Sequence, residues 1–159
     1  MTTAPAHPAM TAEALAEIYA HARRDYPREC CGVVFGPRGS DAADRVKACV
    51  NIQDQLHAED PGQNPRDART AYRFETAELF ALDKSLRGAT PAKIIYHSHV
   101  DVGAYFSDTD QAAARMGDEP AYPVEYVVVD VKSDGVHGAA QFAWDDAQRS
   151  YVEVRRYAG

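Results

Sequence analysis

Leu15, Ile18, Tyr19 and Ala22 lie three and four positions apart, the spacing of one helix face. Thr11 ahead of them is an N-cap residue, Glu13 falls in the first turn, and Pro27 disfavours helix at Tyr26, so a helix is expected from Thr11 to that point. Residues 1–10 carry no such pattern and are expected to be a disordered tail, leaving 11–159 as one domain. Cys31 to Phe35, with its adjacent valines, predicts a buried strand, and the glycines and proline of residues 36–39 a turn. Val46, Ala48, Val50 and Ile52 then alternate with Arg45, Lys47, Cys49 and Asn51, as in a half-buried strand.

Residues 53–71 are polar and hold two prolines; a long functional or disordered loop is expected. A second helix is expected from Thr76, with Leu79, Leu82 and Leu86 inward and Gly88 near its end. Residues 93–97 read as a short strand, and a third helix runs from about Ser107 to Gly117. Strands follow over 124–131, 136–144 and 151–155, the first two joined by a Ser133-Asp134-Gly135 turn. The order of helix, two strands, helix, strand, helix and three strands predicts a mixed α/β domain, a mixed sheet flanked by helices, without internal repeat or linker.

Composition narrows the function classes. With 159 residues, 45% of them apolar, the chain can build one sizeable core. No apolar run is long enough to span a bilayer as a helix. The first ten residues lack the basic start and apolar stretch of a signal peptide, so a cytoplasmic location is expected. The net charge of −7 and the lack of a Lys/Arg cluster argue against nucleic acid. Three cysteines, Cys30, Cys31 and Cys49, make neither an even disulfide framework nor a Cys-x-x-Cys metal site; Cys31 and Cys49 are expected as small buried strand residues.

The chemistry concentrates in residues 94–110. His97 and His99, two apart at a strand end, point to one face, and neutral imidazoles are good zinc ligands. Asp110, at the first turn of the following helix, can bring a carboxylate to the same point. Two histidines, one carboxylate and an open fourth position form the pattern of a catalytic zinc. His-x-His-x7-Ser-x-x-Asp arises by chance in a chain of this content with a probability on the order of one in a thousand. Ser107 and Asp110 also read as a capping box. Ser107 can serve both roles, whereas the roles compete for Asp110, since a metal-bound carboxylate is not free to reach back to the cap. His7, His21, His57 and His137 show no functional spacing and are expected at the surface or in the core.

These residues resemble the JAMM motif of the MPN+ metallopeptidases, and the likeness extends in order of elements over nearly the whole chain. Pro27-Arg28-Glu29-Cys30-Cys31-Gly32 resembles the segment carrying that family's catalytic glutamate, and Glu29 takes its position. The resemblance implies a single MPN (cytidine-deaminase-like) domain holding one Zn²⁺ through His97, His99 and Asp110, with Glu29 as general base and Ser107 as oxyanion donor. The short form is similar to members that trim the C-terminus of ubiquitin-like sulfur-carrier proteins, which implies such a tail as partner. Ser98, on the other side of the strand, is expected to make a supporting hydrogen bond. Small relatives often have proline after His-Ser-His; Val100-Asp101 stands there, and Asp101 and Asp108 add acids, which bears on the groove and not on the ligands.

The alternatives are an inactive MPN-type scaffold that binds a ubiquitin-like partner without cutting it, a metal-storage or sensor protein, and a zinc deaminase. The last requires His-x-Glu followed by Pro-Cys-x-x-Cys, which this chain lacks.

Overall fold

The structure, a computed structural model, describes residues 6–159; the part of the expected tail over 1–5 lies outside them. Elements follow in the order β1 (Ala9–Met10), α1 (Ala12–Asp25), β2 (Cys31–Phe35), β3 (Ala42–Ala43), β4 (Arg45–Cys49), α2 (Gln53–Glu59), α3 (Thr76–Ser85), β5 (Ala92–Val100), α4 (Asp108–Ala114), β6 (Arg115–Met116), β7 (Glu119–Pro120), β8 (Glu125–Lys132), β9 (Gly135–Asp145) and β10 (Ser150–Tyr157). Six strands form the central sheet in the order β10-β9-β8-β5-β2-β4. β5 and β8 are parallel and the other neighbours antiparallel, so the sheet is mixed, as expected.

Alternation along the strands divides the interior in two. Val34, Ile94, Tyr96, Val127, Val129 and Val131 face α1, where Ala14, Ile18 and Ala22 close one core. Val33, Ile95, Tyr126, Val128 and Phe142 face the other way, against Leu82 of α3, Ala114 of α4 and Phe74. Each fully buried aliphatic of this set contributes roughly 1.5–3 kcal/mol. Thr11 starts α1 as expected: its side chain accepts the Ala14 amide at 3.1 Å. The helix stops at Asp25, two residues before Pro27.

A polar chain braces β5 from the α1 side. His21 Nδ1 lies 2.7 Å from the Tyr96 hydroxyl, and His21 Nε2 3.2 Å from Asp25. Gly32 on β2 leaves room for that tyrosine, since a Cβ there would overlap its ring.

Four expectations change. Residues 9–10 are not tail: β1 pairs with β3 and buries Met10. The 53–71 loop contains α2, fastened by polar contacts; its one large aliphatic, Leu56, gives no helical period. β4 ends at Cys49, which is buried, while Val50 is exposed because the chain leaves the sheet there. α4 ends at Ala114, and the β6–β7 hairpin occupies the remainder, turning at Gly117 with φ +66°.

Candidate metal centre

β5 lies between β2 and β8, so its backbone is held on both edges. His97 pairs with Cys31 on one side and Val128 on the other. His97 and His99 share the face turned toward α4 and are buried. The turn through Asp101 and Gly103, both at positive φ, brings the chain back so that α4 begins above the two rings.

Asp110 bridges the histidines: Oδ1 lies 3.2 Å from His97 Nε2 and Oδ2 3.1 Å from His99 Nε2. Each of the three residues offers a ligand atom within 4.8 Å of the others. Ser107 caps α4, its Oγ accepting the Asp110 amide at 3.0 Å while its own amide donates to Asp110 Oδ2 at 3.0 Å. The capping box and the histidine contacts therefore coexist at Asp110. One carboxylate oxygen serves both the cap and a histidine, so the capping box holds the carboxylate in place.

The donor set suits a cation. The Gly103 carbonyl faces His99 Nδ1 at 3.1 Å. A carbonyl has no proton to give, so Nδ1 carries the hydrogen and, in the neutral ring, Nε2 is a bare lone pair. That lone pair faces Asp110 Oδ2 and, at 3.3 Å, His97 Nε2. A hydrogen on His97 Nε2, or a metal ion among these atoms, satisfies the lone pairs that meet there. Two imidazoles and a carboxylate fit zinc. Burial lowers the His97 pKa, partly opposed by Asp110, which favours the neutral ring a metal needs. Burial alone would raise the Asp110 carboxyl, but the two imidazoles against it, His97 before His99, and the Ser107 amide hold it well below the usual carboxylate range.

Glu29 opens on the same cleft of about 220 Å³, together with His99, Ser107 and Asp110. Its amide donates to the Ala68 carbonyl at 2.7 Å, and its own carbonyl accepts from Asn51 Nδ2 at 2.9 Å. The next residue is fixed by Ser98, whose Oγ accepts the Cys30 amide at 2.8 Å; this is the supporting role expected of that serine. Burial, and after it the charge of Asp110, pushes the Glu29 carboxyl up to about 9, with Arg66 opposing. The unfolded chain releases this proton above a pH of about 4.3, while the folded metal-free chain keeps it to about 9. Rising pH across that window therefore favours unfolding. Metal-free Glu29→Gln is expected to exceed the wild type in stability by on the order of 1–3 kcal/mol at pH 7. The gap should vanish near pH 4 in urea titrations; a gap independent of pH would contradict it.

Sequence reasoning missed three supports. Tyr72 stacks on His97, centroids 4.4 Å apart at 23°, and holds a ring whose Nδ1 is buried without a partner among the described residues. Tyr105 stands edge-on to His99 at 4.8 Å, and the Gly103 carbonyl orients the same ring. Only the glycine carries a sequence signal, as a turn residue after the motif; the path that brings Tyr72 over the site is long-range. The cysteines are buried and free, with Cys30 and Cys49 thiols pushed up to about 12 by burial. Of the other histidines, His21 is buried, and His7 and His137 pair with Glu125 and Asp134. His57 lies against the Asn64 carbonyl.

Residues 11–146 match the family described as prokaryotic homologues of the JAB domain. The chain is 34% identical over 119 residues to the CysO-cysteine peptidases of Mycobacterium tuberculosis and Mycobacterium bovis, covering 74% of this chain and 69% of theirs. Its fold is similar to solution structures of a Desulfitobacterium hafniense protein (TM-score 0.63, 20% identity, 92% of this chain and 88% of that one) and of a Salinibacter ruber protein (0.60, 20%, 94% and 90%).

Proposed function

The chain belongs to the family of prokaryotic JAB-domain homologues, and from that premise we propose that it is a zinc-dependent peptidase that hydrolyses an amide bond at the C-terminus of a ubiquitin-like sulfur-carrier protein. The observation that carries this reading is the convergence of His97, His99 and Asp110 on one point, with the buried Glu29 carboxyl opening on the same cleft. The likeness to CysO-cysteine peptidases supports the substrate class.

His97, His99 and Asp110 would hold the zinc, which when bound would supply the Lewis acidity that acidifies water and polarises the scissile carbonyl. Glu29 takes a proton from the attacking water as its oxygen bonds to the carbonyl carbon, and returns it to the nitrogen as the C–N bond breaks. The products are a carboxylic acid and an amine. Glu29 suits both steps because burial raises its affinity for the proton while a cation beside Asp110 lowers it again. Ser107 Oγ accepts the Asp110 amide, which leaves its O–H free to donate to the carbonyl oxygen as negative charge builds. Tyr72 and Tyr105 keep the rings from turning, and exposed Val102 and Tyr105 offer the incoming tail an apolar wall.

The test is a sulfur-carrier protein extended by one residue at its C-terminus, followed by intact mass. Loss of the residue, stopped by a chelator and restored by zinc, is the expected result; an unchanged mass with the zinc-loaded chain contradicts the proposal. Ser107→Ala is expected to lower kcat by on the order of 10²–10³. An unaltered kcat would reduce Ser107 to a helix cap.

A further inference from the structure

The segment after α2 puts two guanidinium groups on the wall of the site cleft. Arg66 and Arg69 line it beside Glu29, Ser107 and Asp110. Neither has an acidic partner within ion-pair distance among the described residues. Their backbone is fixed: the Arg66 carbonyl accepts from Gln53 Nε2 at 2.9 Å, the Ala68 amide donates to Asp54 at 2.7 Å, and the Arg69 amide donates to Asp67 at 2.9 Å. Asn51 ties the same segment to Glu29, its Nδ2 donating to the carbonyls of Glu29 and Ala71 and its Oδ1 accepting the Gln53 and Arg73 amides. Arg66 Nη1 donates to the Thr70 carbonyl at 3.4 Å, but within a chain of net charge −7 two cations without an ion-pair partner on a braced segment mark a place for an anion.

Their position next to the proton-returning Glu29 identifies the anion. In a terminal residue the leaving amine and the α-carboxylate are attached to the same carbon, so a group that receives the amine has the carboxylate beside it. The planar guanidinium fork matches that carboxylate with paired hydrogen bonds. A lysine side chain leaving with a folded protein brings no carboxylate to this spot.

We infer that Arg66 and Arg69 form a receptor for the free α-carboxylate of the departing residue and so set the preference for a substrate that ends in a free acid. The inference rests on the peptidase reading and deepens it. The carboxylate meets the arginine wall of the cleft while the carrier's tail lies along Val102 and Tyr105.

The test uses Gly-Gly-Ala as free acid and as C-terminal amide, alanine avoiding a thiol that would bind zinc. Zinc-loaded wild type is expected to cut the acid with a kcat/KM on the order of 10–100-fold above the amide, from charge-assisted hydrogen bonds, the difference lying in KM. Arg66→Ala together with Arg69→Ala should bring that ratio to about one, and the double lysine variant, which keeps the charge and loses the fork, should restore part of it. Equal cleavage of acid and amide by the wild type, or a ratio untouched in the alanine variant, overturns the inference. If neither peptide is cut, the carrier-protein assay decides the peptidase reading separately and binding decides the receptor. Amide chemical shifts of residues 66–72 that move with the acid and not the amide, and that stay still in the alanine variant, support the receptor. Shifts that do not tell acid from amide overturn it. Melting temperatures of both variants identify any loss of fold.

Discussion

Glu29→Gln is expected to bind zinc as the wild type does and to lose turnover by on the order of 10²–10⁴-fold. The reason is positional. Glu29 shares the cleft with His97's partners His99 and Asp110 but stands outside the set whose ligand atoms converge. Glutamine keeps the shape and hydrogen-bonding reach of the side chain and cannot carry the proton between water and amine. The backbone contacts at Ala68, Asn51 and Ser98 belong to main-chain atoms of residues 29 and 30 and survive the change. The variant should therefore be folded, metal-loaded and inactive, and in metal-free form more stable than the wild type at neutral pH. That combination is hard to produce by damage. Steady-state kinetics beside elemental analysis checks it; turnover within about tenfold of wild type would remove Glu29 as the base.

His99→Ala acts one step earlier, on the metal itself. Structural four-ligand zinc sites bind with ~10–16 kcal/mol, so one ligand accounts for on the order of 3 kcal/mol and its loss raises Kd by roughly a hundredfold or more. The change also frees the Gly103 carbonyl and leaves Asp110 Oδ2 with only the Ser107 amide, loosening the turn that sets α4 over the strand. Competition against a chromogenic chelator measures the Kd, and thermal melting with and without zinc shows whether the fold persists. A variant that binds zinc as tightly as wild type would exclude His99 as a ligand. Together the two substitutions separate the group that moves protons from a group that holds the metal.

What could be read from the sequence follows the range of the forces involved. The helix capped by Thr11, the apolar run from Cys31 and the His-x-His strand are local patterns with local causes, and the structure contains all three. The convergence of His97, His99 and Asp110 was equally readable, because strand alternation and a helix start fix directions over a dozen residues. The sharing of Asp110 Oδ2 was not, since two local rules assign the carboxylate to different partners and only the turn at Gly103 shows that both can be met. α2 was hidden because its stability comes from Asn51, Asp54 and Gln53 binding the segment that follows, and not from an apolar stripe. Tyr72 over His97, and the arginines beside Glu29, depend on that same long-range fastening, so spacing along the chain carried no trace of them.

Zinc per chain, measured by elemental analysis on protein purified without chelator, tests the central claim most directly. The account predicts about one zinc per chain, as a three-ligand open site requires, removed by chelation and recovered on adding zinc. Protein that contains no metal and takes up none from added zinc would contradict it.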